Sequence, residues 1–586
     1  MSEKNLSRRD FLRLTSLAGM GLTLSQAAPF SAFANNLEIN AGHKPVCYFD
    51  AFACIGPRKY KHPAEPWKLS ELISEMEHCS VSGALVSYTM STYYDAMYSN
   101  LELSNMLKPY PHLFAVWNVM PGLTSEFPPP EELGRKMQAH HVRAVSLHPA
   151  TNGWNWKAPY QQDILRWLNE NQVLTIIQLS EFGNWQDLEE LLTQYPQLPI
   201  LLTSVYWDSQ RNLIPMMENH SNLHCTFDNL QNMYGIEYMY GKGLVNQMIF
   251  GTNSPTMSAG AHRTFIDYAE IPEDARAKIA GGNLIRLLKG QQPPEEYVNK
   301  HEDELMTAVR HGRPLPVPII DMHMHMLHEG LNGAGWSYTM ENGGPKGIFA
   351  LAKRLGYAGG GFMSWNGVVS VNTAAGNITT SQALDVAPPG YWGLANFDPV
   401  HYTQDELKKM IPGLYERDQR FIGMKPYHYI GVSYDDPSWE QWWKYGNDHH
   451  FYALLHSQSG NMAEYETLAA RYKNVRWLIA HAGQSYDYAD KVIAVIKKFP
   501  NIYAEITLTA VPCGIIDYLV AGAGENRVLY GSDLPMRDPR PQLGWVVFSR
   551  SSVATKRRIL GENAMQVIKP CIDRLPKYNR PVIHYK

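Results

Sequence analysis

Two histidines, His323 and His325, stand two residues apart in the apolar run 319–327. Pro316 and Pro318 precede this run, and its β-branched start predicts a buried strand. Side chains two apart on a strand share a face, so both imidazoles project together. Such a pair suits a borderline metal such as Zn²⁺. A His-x-His pair alone leaves open the alternative of two polar residues in an ordinary strand.

Three more ionisable residues close apolar runs later in the chain. His456 follows the run 452–455, His481 follows 475–480, and Asp533 follows 527–532. Each therefore lies at the carboxyl end of a predicted strand, which is the face where barrel enzymes build their sites. Five such residues, counting His323 and His325, favour a common site over five unrelated polar positions.

The elements that must position these residues form a repeated pattern. Residues 44–290 alternate between strand and helix signals, with strands predicted at 45–50, 83–88, 112–119, 142–147, 173–179, 199–203 and 247–251. The alternation implies parallel βα units, and roughly 250 residues of them suit a (β/α)₈ barrel. Residues 291–317 are polar and proline-rich around one short charged helix, which predicts a linker. The alternation then begins again over residues 318–575.

The second half repeats the first. Residues 48–54 align with 319–325, 173–178 with 451–456, 249–255 with 529–535, and 279–283 with 559–563. We therefore predict an α/β protein of two tandem TIM barrels. Only the second copy carries the ionisable residues, since His323, His325, His456 and Asp533 align with Phe52, Cys54, Gln178 and Asn253. The first barrel is accordingly expected to be structural.

The combined motifs of the second half resemble the amidohydrolase-related branch of the amidohydrolase superfamily. These motifs are His323-x-His325, His456, His481-Ala-Gly, and Gly-Ser-Asp533-x-Pro535. The resemblance implies one divalent metal, with zinc as the expected ion, bound by His323, His325, His456 and Asp533. It places His481 beside the metal as a catalytic residue, together with Asp533. Members of the superfamily include hydrolases and non-oxidative decarboxylases.

The residue types agree with metal-dependent hydrolysis. A three-histidine, one-carboxylate site with an open position lowers the pKa of bound water to near neutrality. His481 could take the proton or polarise a substrate carbonyl.

Three cations are candidate substrate contacts. Lys425 closes the run 421–424, and the alternatives to a substrate contact are a carboxylated lysine that bridges two metals or a plain surface lysine. Arg537 and Arg540 follow Asp533 on the next loop, and either arginine could instead brace that loop.

The first 34 residues resemble a bacterial twin-arginine signal peptide. Arg8 and Arg9 precede an uncharged stretch, 14–33, that ends in Ala32-Phe33-Ala34. The twin-arginine export machinery is therefore an expected partner, and the periplasm is the expected location. The stretch is too polar for a permanent membrane anchor, and no later run of about 18 apolar residues exists.

Composition narrows the class of protein. A chain of 586 residues is too long to form a single hydrophobic core. Its net charge of −4 gives no electrostatic reason to expect nucleic-acid binding. Its six cysteines do not form the pattern of a disulfide framework. The sequence predicts a metal-dependent hydrolase of a small lactone, amide or ester. A decarboxylase of an aromatic or unsaturated carboxylate and a non-catalytic periplasmic binding protein stay as alternatives, and homo-oligomer formation stays open.

Overall fold

The computed structural model describes residues 46–59, 62–331, 339–427, 430–456, 460–508 and 510–582. The predicted signal peptide, residues 1–34, lies outside these ranges. Two eight-stranded parallel sheets follow one another along the chain, each with its strands in sequence order.

The first sheet forms the N-terminal barrel. Its strands are β1 Tyr48–Ile55, β2 Val81–Tyr88, β3 Leu113–Asn118, β4 Ala144–Ser146, β5 Leu174–Gln178, β6 Ile200–Thr203, β7 Leu223–Thr226 and β8 Met248–Ile249. The helices that accompany them are Leu69–His78, Thr89–Tyr93, Ala96–Leu107, Pro130–Ala139, Asp163–Glu170, Trp185–Gln194, Gln210–Asn219, Gly235–Gly241, Ala259–Asp267, Glu273–Ala277 and Asn283–Leu287. The barrel closes where Ala51 N donates to Phe250 O at 3.0 Å.

The second sheet forms the C-terminal barrel. Its strands are β9 Ile319–Met326, β10 Tyr357–Ser364, β11 Tyr391–Ala395, β12 Phe421–Met424, β13 Tyr452–Leu455, β14 Arg476–Ile479, β15 Ile502–Glu505 and β16 Val528–Leu529. Its helices are Pro345–Leu355, Trp365–Val368, Thr373–Asp385, Gln404–Arg417, Glu440–Asp448, Ala463–Arg471, Tyr486–Lys498, Ile515–Ala523, Pro539–Val547, Val553–Arg557 and Asn563–Ile568. Met322 N donates to Tyr530 O at 3.1 Å across the closure. The predicted fold of two tandem TIM barrels is confirmed.

Burial explains why these segments take these forms. Every residue of β9 is buried, as expected for a central strand covered on both faces. The helix Tyr486–Lys498 shows the complementary pattern, because Ala489, Val492, Ile493 and Ile496 recur at helical spacing and are buried. Ser485 caps its N-terminus by accepting a hydrogen bond from Tyr488 N.

The strand boundaries differ in detail from the sequence-based expectation. The strand predicted at 247–251 is only Met248–Ile249, and the strand Leu223–Thr226 was not predicted at all. The latter has only four residues, Leu-His-Cys-Thr, and the polar His224 in its centre removes the apolar signal.

Matching contacts in the two barrels support the internal repeat. The carboxylate of Asp321 on β9 accepts from Ser532 Oγ at 2.5 Å, and Asp50 on β1 makes the same contact with Thr252. Asn283 Nδ2 donates to Val245 O and Met248 O, while Asn563 Nδ2 donates to Glu525 O and Val528 O. These pairs occupy the positions that the sequence alignment equates.

The two barrels pack through equivalent helices. The helix Ala259–Asp267 lies against Pro539–Val547, and the backbones approach so closely that a Cβ at Gly544 would overlap the Thr264 hydroxyl and lie 2.7 Å from Gly260 O. Both barrels belong to one compact unit, Gly42–Lys586. Within the predicted linker, the helix Glu304–Arg310 is largely buried, and Asp303 accepts from Lys556 Nζ at 2.6 Å.

Among the described helices, none has the length and apolar character needed to cross a bilayer.

Candidate metal centre

Three predicted ligands meet at the carboxyl end of the C-terminal barrel. His323 and His325 lie on β9, Asp533 follows β16, and all three side chains are buried. Their ligand atoms lie within 4.8 Å of one another. Asp533 Oδ1 is 3.5 Å from His323 Nε2 and 3.0 Å from His325 Nε2. Backbone pairing fixes this arrangement, because Asp533 N donates to His323 O at 2.8 Å.

Two separations among these atoms fit a tetrahedral metal. Ligand bonds of about 2.0–2.1 Å at tetrahedral angles place neighbouring ligand atoms about 3.4 Å apart. The observed separations of 3.0 and 3.5 Å bracket that value. Two imidazoles and a carboxylate are also a donor set that zinc accepts. The residues present therefore fit one divalent ion.

Glu505 and Thr507 orient the first histidine. His323 Nδ1 is 3.0 Å from Glu505 Oε2, and the other carboxylate oxygen accepts from the Thr507 hydroxyl. A neutral His323 that donates from Nδ1 keeps the lone pair of Nε2 for a metal. Gly531 leaves room for the carboxylate, because a Cβ there would lie 2.8 Å from Glu505 Cδ.

His481 lies close to His323. Its ring centroid is 5.4 Å from that of His323, and its Nδ1 is 2.5 Å from the Thr507 carbonyl oxygen. Because the carbonyl can only accept, Nδ1 carries the hydrogen and Nε2 is the basic atom. Burial lowers the pKa of His481 to about 4, so the ring is neutral near pH 7.

His456 lies next to His481, with ring centroids 4.6 Å apart in an edge-to-face arrangement. It is at the end of β13, as predicted, but it is outside the group of three whose ligand atoms lie within 4.8 Å. Tyr434 donates its hydroxyl to the His456 carbonyl at 3.0 Å. The assignment of His456 as a fourth ligand stays a prediction.

Lys425 closes β12 inside the site. It is 2% exposed, and its Nζ is 3.5 Å from His323 Nε2, so the alternative of a plain surface lysine is wrong. Burial lowers the pKa of Lys425 to about 8, against the attraction of Asp533 and Glu505. A cation at this position can contact an anionic substrate or repel a bound metal ion.

Opposing influences set the charge of Asp533. Burial alone raises the pKa of this carboxyl, but the neighbouring His323, His325 and His481 together hold it below its ordinary value. Asp533 therefore remains an anion that can balance a cation.

The two arginines after Asp533 have different surroundings. Arg540 is fully buried, and it pairs with Asp538 and with Glu237 of the N-terminal barrel, at 2.6 Å in each case. This arrangement supports the bracing alternative for Arg540 instead of the predicted substrate contact. Arg537 is 7% exposed, and its guanidinium lies over the Trp207 ring with its carbon 4.3 Å from the centroid.

The N-terminal barrel has the same backbone positions with other side chains. Asn253 and Asp533 have φ values of 58° and 60°, and Ser204 and His481 have φ values of 57° and 60°. Ser204 thus occupies the position of His481 in the first copy. Asn253 Oδ1 accepts from Arg58 Nη2 at 3.3 Å. Within the described part of the chain, the only cluster of metal-ligating residues is in the C-terminal barrel.

Sequence reasoning missed Glu505, Thr507 and the aromatic residue Trp365, whose ring is 5.3 Å from His325. Glu505 had a usable signal, because it closes the run Ile-Tyr-Ala as the histidines close theirs. Nothing local in the sequence connects Trp207 to this site, since it lies in the other barrel.

Comparison with known proteins agrees with the site. The amidohydrolase family model matches residues 320–569. A search of the curated proteins finds no match.

Solved structures that share low sequence identity with this chain include three proteins. A TIM-barrel protein from Bordetella bronchiseptica is 16% identical, with a TM-score of 0.34, over 42% of this chain and 99% of its own. The 5-carboxyvanillate decarboxylase of Sphingomonas paucimobilis is 14% identical, with a TM-score of 0.33, over 42% of this chain and 99% of its own. A probable 2-pyrone-4,6-dicarboxylic acid hydrolase of Acinetobacter baumannii is 12% identical, with a TM-score of 0.32, over 41% of this chain and 99% of its own. Nothing about the reaction follows from these similarities. The match to the amidohydrolase family model thus covers the C-terminal barrel, including the candidate metal centre.

Proposed function

We propose that the C-terminal barrel is a metal-dependent hydrolase of a small organic substrate of the lactone, amide or ester type. The observation that carries this proposal is the buried group of His323, His325 and Asp533 with mutually close ligand atoms. A buried carboxylate between two imidazoles needs a reason beyond stability, because taking charged groups out of water is costly. A metal centre supplies that reason.

Each residue of the site has a role in this proposal. His323, His325 and Asp533 bind one divalent ion, zinc in our assignment, and His456 completes the set. When bound, the ion supplies a Lewis acid and lowers the pKa of a bound water. Glu505 keeps His323 in the tautomer that binds through Nε2. His481 accepts and returns a proton at Nε2, because its Nδ1 is held by the Thr507 carbonyl.

The cations around the site indicate the charge of the substrate. Lys425 is 2% exposed, and its Nζ lies 3.5 Å from Nε2 of the proposed ligand His323. A buried ammonium group at the site favours a ligand that carries a negative charge. We therefore expect the substrate to carry a carboxylate.

The test is a reaction screen with product analysis. The full chain, loaded with Zn²⁺, is incubated with lactones, amides, esters and aromatic carboxylates, and the products are identified by mass spectrometry. Hydrolysis that is lost in His481→Gln supports the proposal. Release of CO₂ from a carboxylate without hydrolysis of any substrate overturns it in favour of a decarboxylase. No turnover by the metal-loaded protein favours the binding-protein alternative.

We further propose that the N-terminal barrel is non-catalytic and that the chain is exported to the periplasm. The first proposal rests on Phe52, Cys54, Gln178 and Asn253, which align with the four predicted metal ligands of the second barrel. The second rests on Arg8, Arg9 and the uncharged stretch after them.

A further inference from the structure

The N-terminal barrel places one large aromatic side chain beside the site of the C-terminal barrel. Trp207 begins the short 3₁₀ turn Trp207–Ser209 after β6. Its indole packs against an apolar cluster made by Leu327, Met340 and Trp365. Trp365 in turn contacts His325 edge to face, with ring centroids 5.3 Å apart. Trp207 therefore packs against the cluster that contains the aromatic neighbour of a predicted metal ligand.

Trp207 also contacts the site through Arg537. The guanidinium carbon of Arg537 is 4.3 Å from the centroid of the indole ring. The backbone N of Arg537 donates to the Asp533 carbonyl at 3.2 Å, so this arginine lies one turn after the predicted metal ligand. Stacking uses the face of the guanidinium, whereas carboxylates bind at its N–H edge. Trp207 can thus hold the position from which Arg537 meets a carboxylate.

The backbone around Trp207 is held to the C-terminal barrel. Asn232 Nδ2 donates to the Trp207 carbonyl at 2.8 Å. Gln231, the residue before Asn232, accepts a hydrogen bond at its carbonyl from Asp538 N at 2.8 Å. Gln210, three residues after Trp207, contacts the Thr339 hydroxyl. These contacts fix Trp207 relative to the loop that carries Asp533 and Arg537.

We propose that Trp207 is a positioning residue that the N-terminal barrel contributes to the substrate site, where it holds Arg537 to bind the carboxylate of the substrate. This inference rests on the proposed function of the C-terminal barrel. It gives the catalytically degenerate barrel a part in substrate selection.

The test measures ligand binding and does not require turnover. Isothermal titration of the zinc-loaded full chain compares benzoate with benzamide, which has the same ring and no charge. The variants are Trp207→Leu, which keeps apolar volume without a π face, and Trp207→Phe, which keeps a π face. The control is Tyr206→Leu, since Tyr206 is the neighbouring residue and is 58% exposed.

We expect Trp207→Leu to weaken benzoate about three- to thirtyfold, the range of one desolvated cation–π contact, and to change benzamide less than twofold. Trp207→Phe should recover most of the benzoate affinity, and Tyr206→Leu should match the parent. Unchanged benzoate binding in Trp207→Leu, equal losses for both ligands, or a parent that does not bind benzoate would overturn the inference. Zinc content, measured on the same samples, separates these results from failure of the metal centre.

Discussion

His323 and Glu505 form a buried pair in which Nδ1 of the imidazole lies 3.0 Å from Oε2 of the carboxylate. Both side chains are almost fully buried, at 1% and 0% exposed. Burial raises the pKa of Glu505 to about 7, and contacts with His481, Thr507 and Lys425 oppose that rise. Such a carboxylate behind a histidine orients the ring and strengthens it as a ligand.

We predict that Glu505→Gln lowers metal affinity about ten- to hundredfold, because a neutral amide holds the histidine less firmly. Competition with a chromogenic zinc chelator measures the change. Asp418→Asn is the control, since Asp418 pairs with Arg420 just before β12 and touches no predicted ligand. Equal zinc affinity in parent and Glu505→Gln would show that the pair has no part in metal binding.

The ion pair between the barrels should have a large effect on stability. Arg540 lies between Glu237 and Asp538, and all three side chains are at most 5% exposed. Arg540→Met leaves two buried carboxylates without their cation, which costs about 3–5 kcal/mol of the free energy of unfolding. Urea unfolding checks this value.

The control for Arg540 is a surface pair. Arg471 is 51% exposed and pairs with Glu440, so Arg471→Met should cost less than about 1 kcal/mol. Similar losses in Arg540→Met and Arg471→Met would contradict the assignment of Arg540 as a structural residue.

Asp50 in the N-terminal barrel should make stability depend on pH. Thr252 Oγ1 contacts both Asp50 Oδ2 and Ser254 Oγ, and Ser254 Oγ donates to the Met257 carbonyl. One hydroxyl hydrogen on Thr252 cannot serve both contacts, so a proton on Asp50 satisfies the chain of bonds. Burial raises the pKa of Asp50 to about 7 from 3.8, which agrees with this arrangement.

A raised pKa means that the folded protein binds this proton more tightly than the unfolded chain. The contribution is therefore greatest below pH 4 and is lost as pH rises toward 7. Between pH 4.5 and 8 the parent should lose about 3 kcal/mol more than Asp50→Asn, measured by urea unfolding at each pH. Parallel pH profiles for the two proteins would refute a protonated Asp50.

The export prediction concerns Arg8 and Arg9, which lie outside the described residues. Changing both to lysine should leave the precursor in the cytoplasm, because the export receptor recognises the arginine pair. Cell fractionation followed by immunoblotting measures this. Lys4→Arg, which changes a nearby cation outside the pair, is the control and should be exported normally. Normal periplasmic amounts of the double-lysine variant would show that another route operates.

Local pattern was sufficient for much of the fold. The run that became β9 predicted its own burial and the common face of His323 and His325, because strand periodicity is a property of neighbouring residues. The internal repeat aligned Asp533 with Asn253, and the two residues share a left-handed backbone, with φ values of 60° and 58°. The short strand Leu223–Thr226 escaped because four residues with one central histidine carry little periodicity.

Contacts between distant residues were not predictable in this way. Glu505 meets His323 from 182 residues away, and Arg540 meets Glu237 from 303 residues away. Such partners depend on how strands are ordered around a barrel and how two barrels pack. The sequence consequently offered Arg540 as a substrate contact, whereas its actual partners lie between the barrels.

The central claim is that each chain binds one catalytic metal and that the C-terminal barrel holds it. Elemental analysis of the purified full chain tests this most directly, with activity measured on the same samples. The parent and Cys54→Ser should contain about one metal per chain, His323→Ala and Asp533→Ala should contain almost none, and His481→Ala should keep the metal while losing activity. Two metals per chain would instead support a bridging Lys425, and one metal retained in His323→Ala or full activity of metal-free protein would contradict the account.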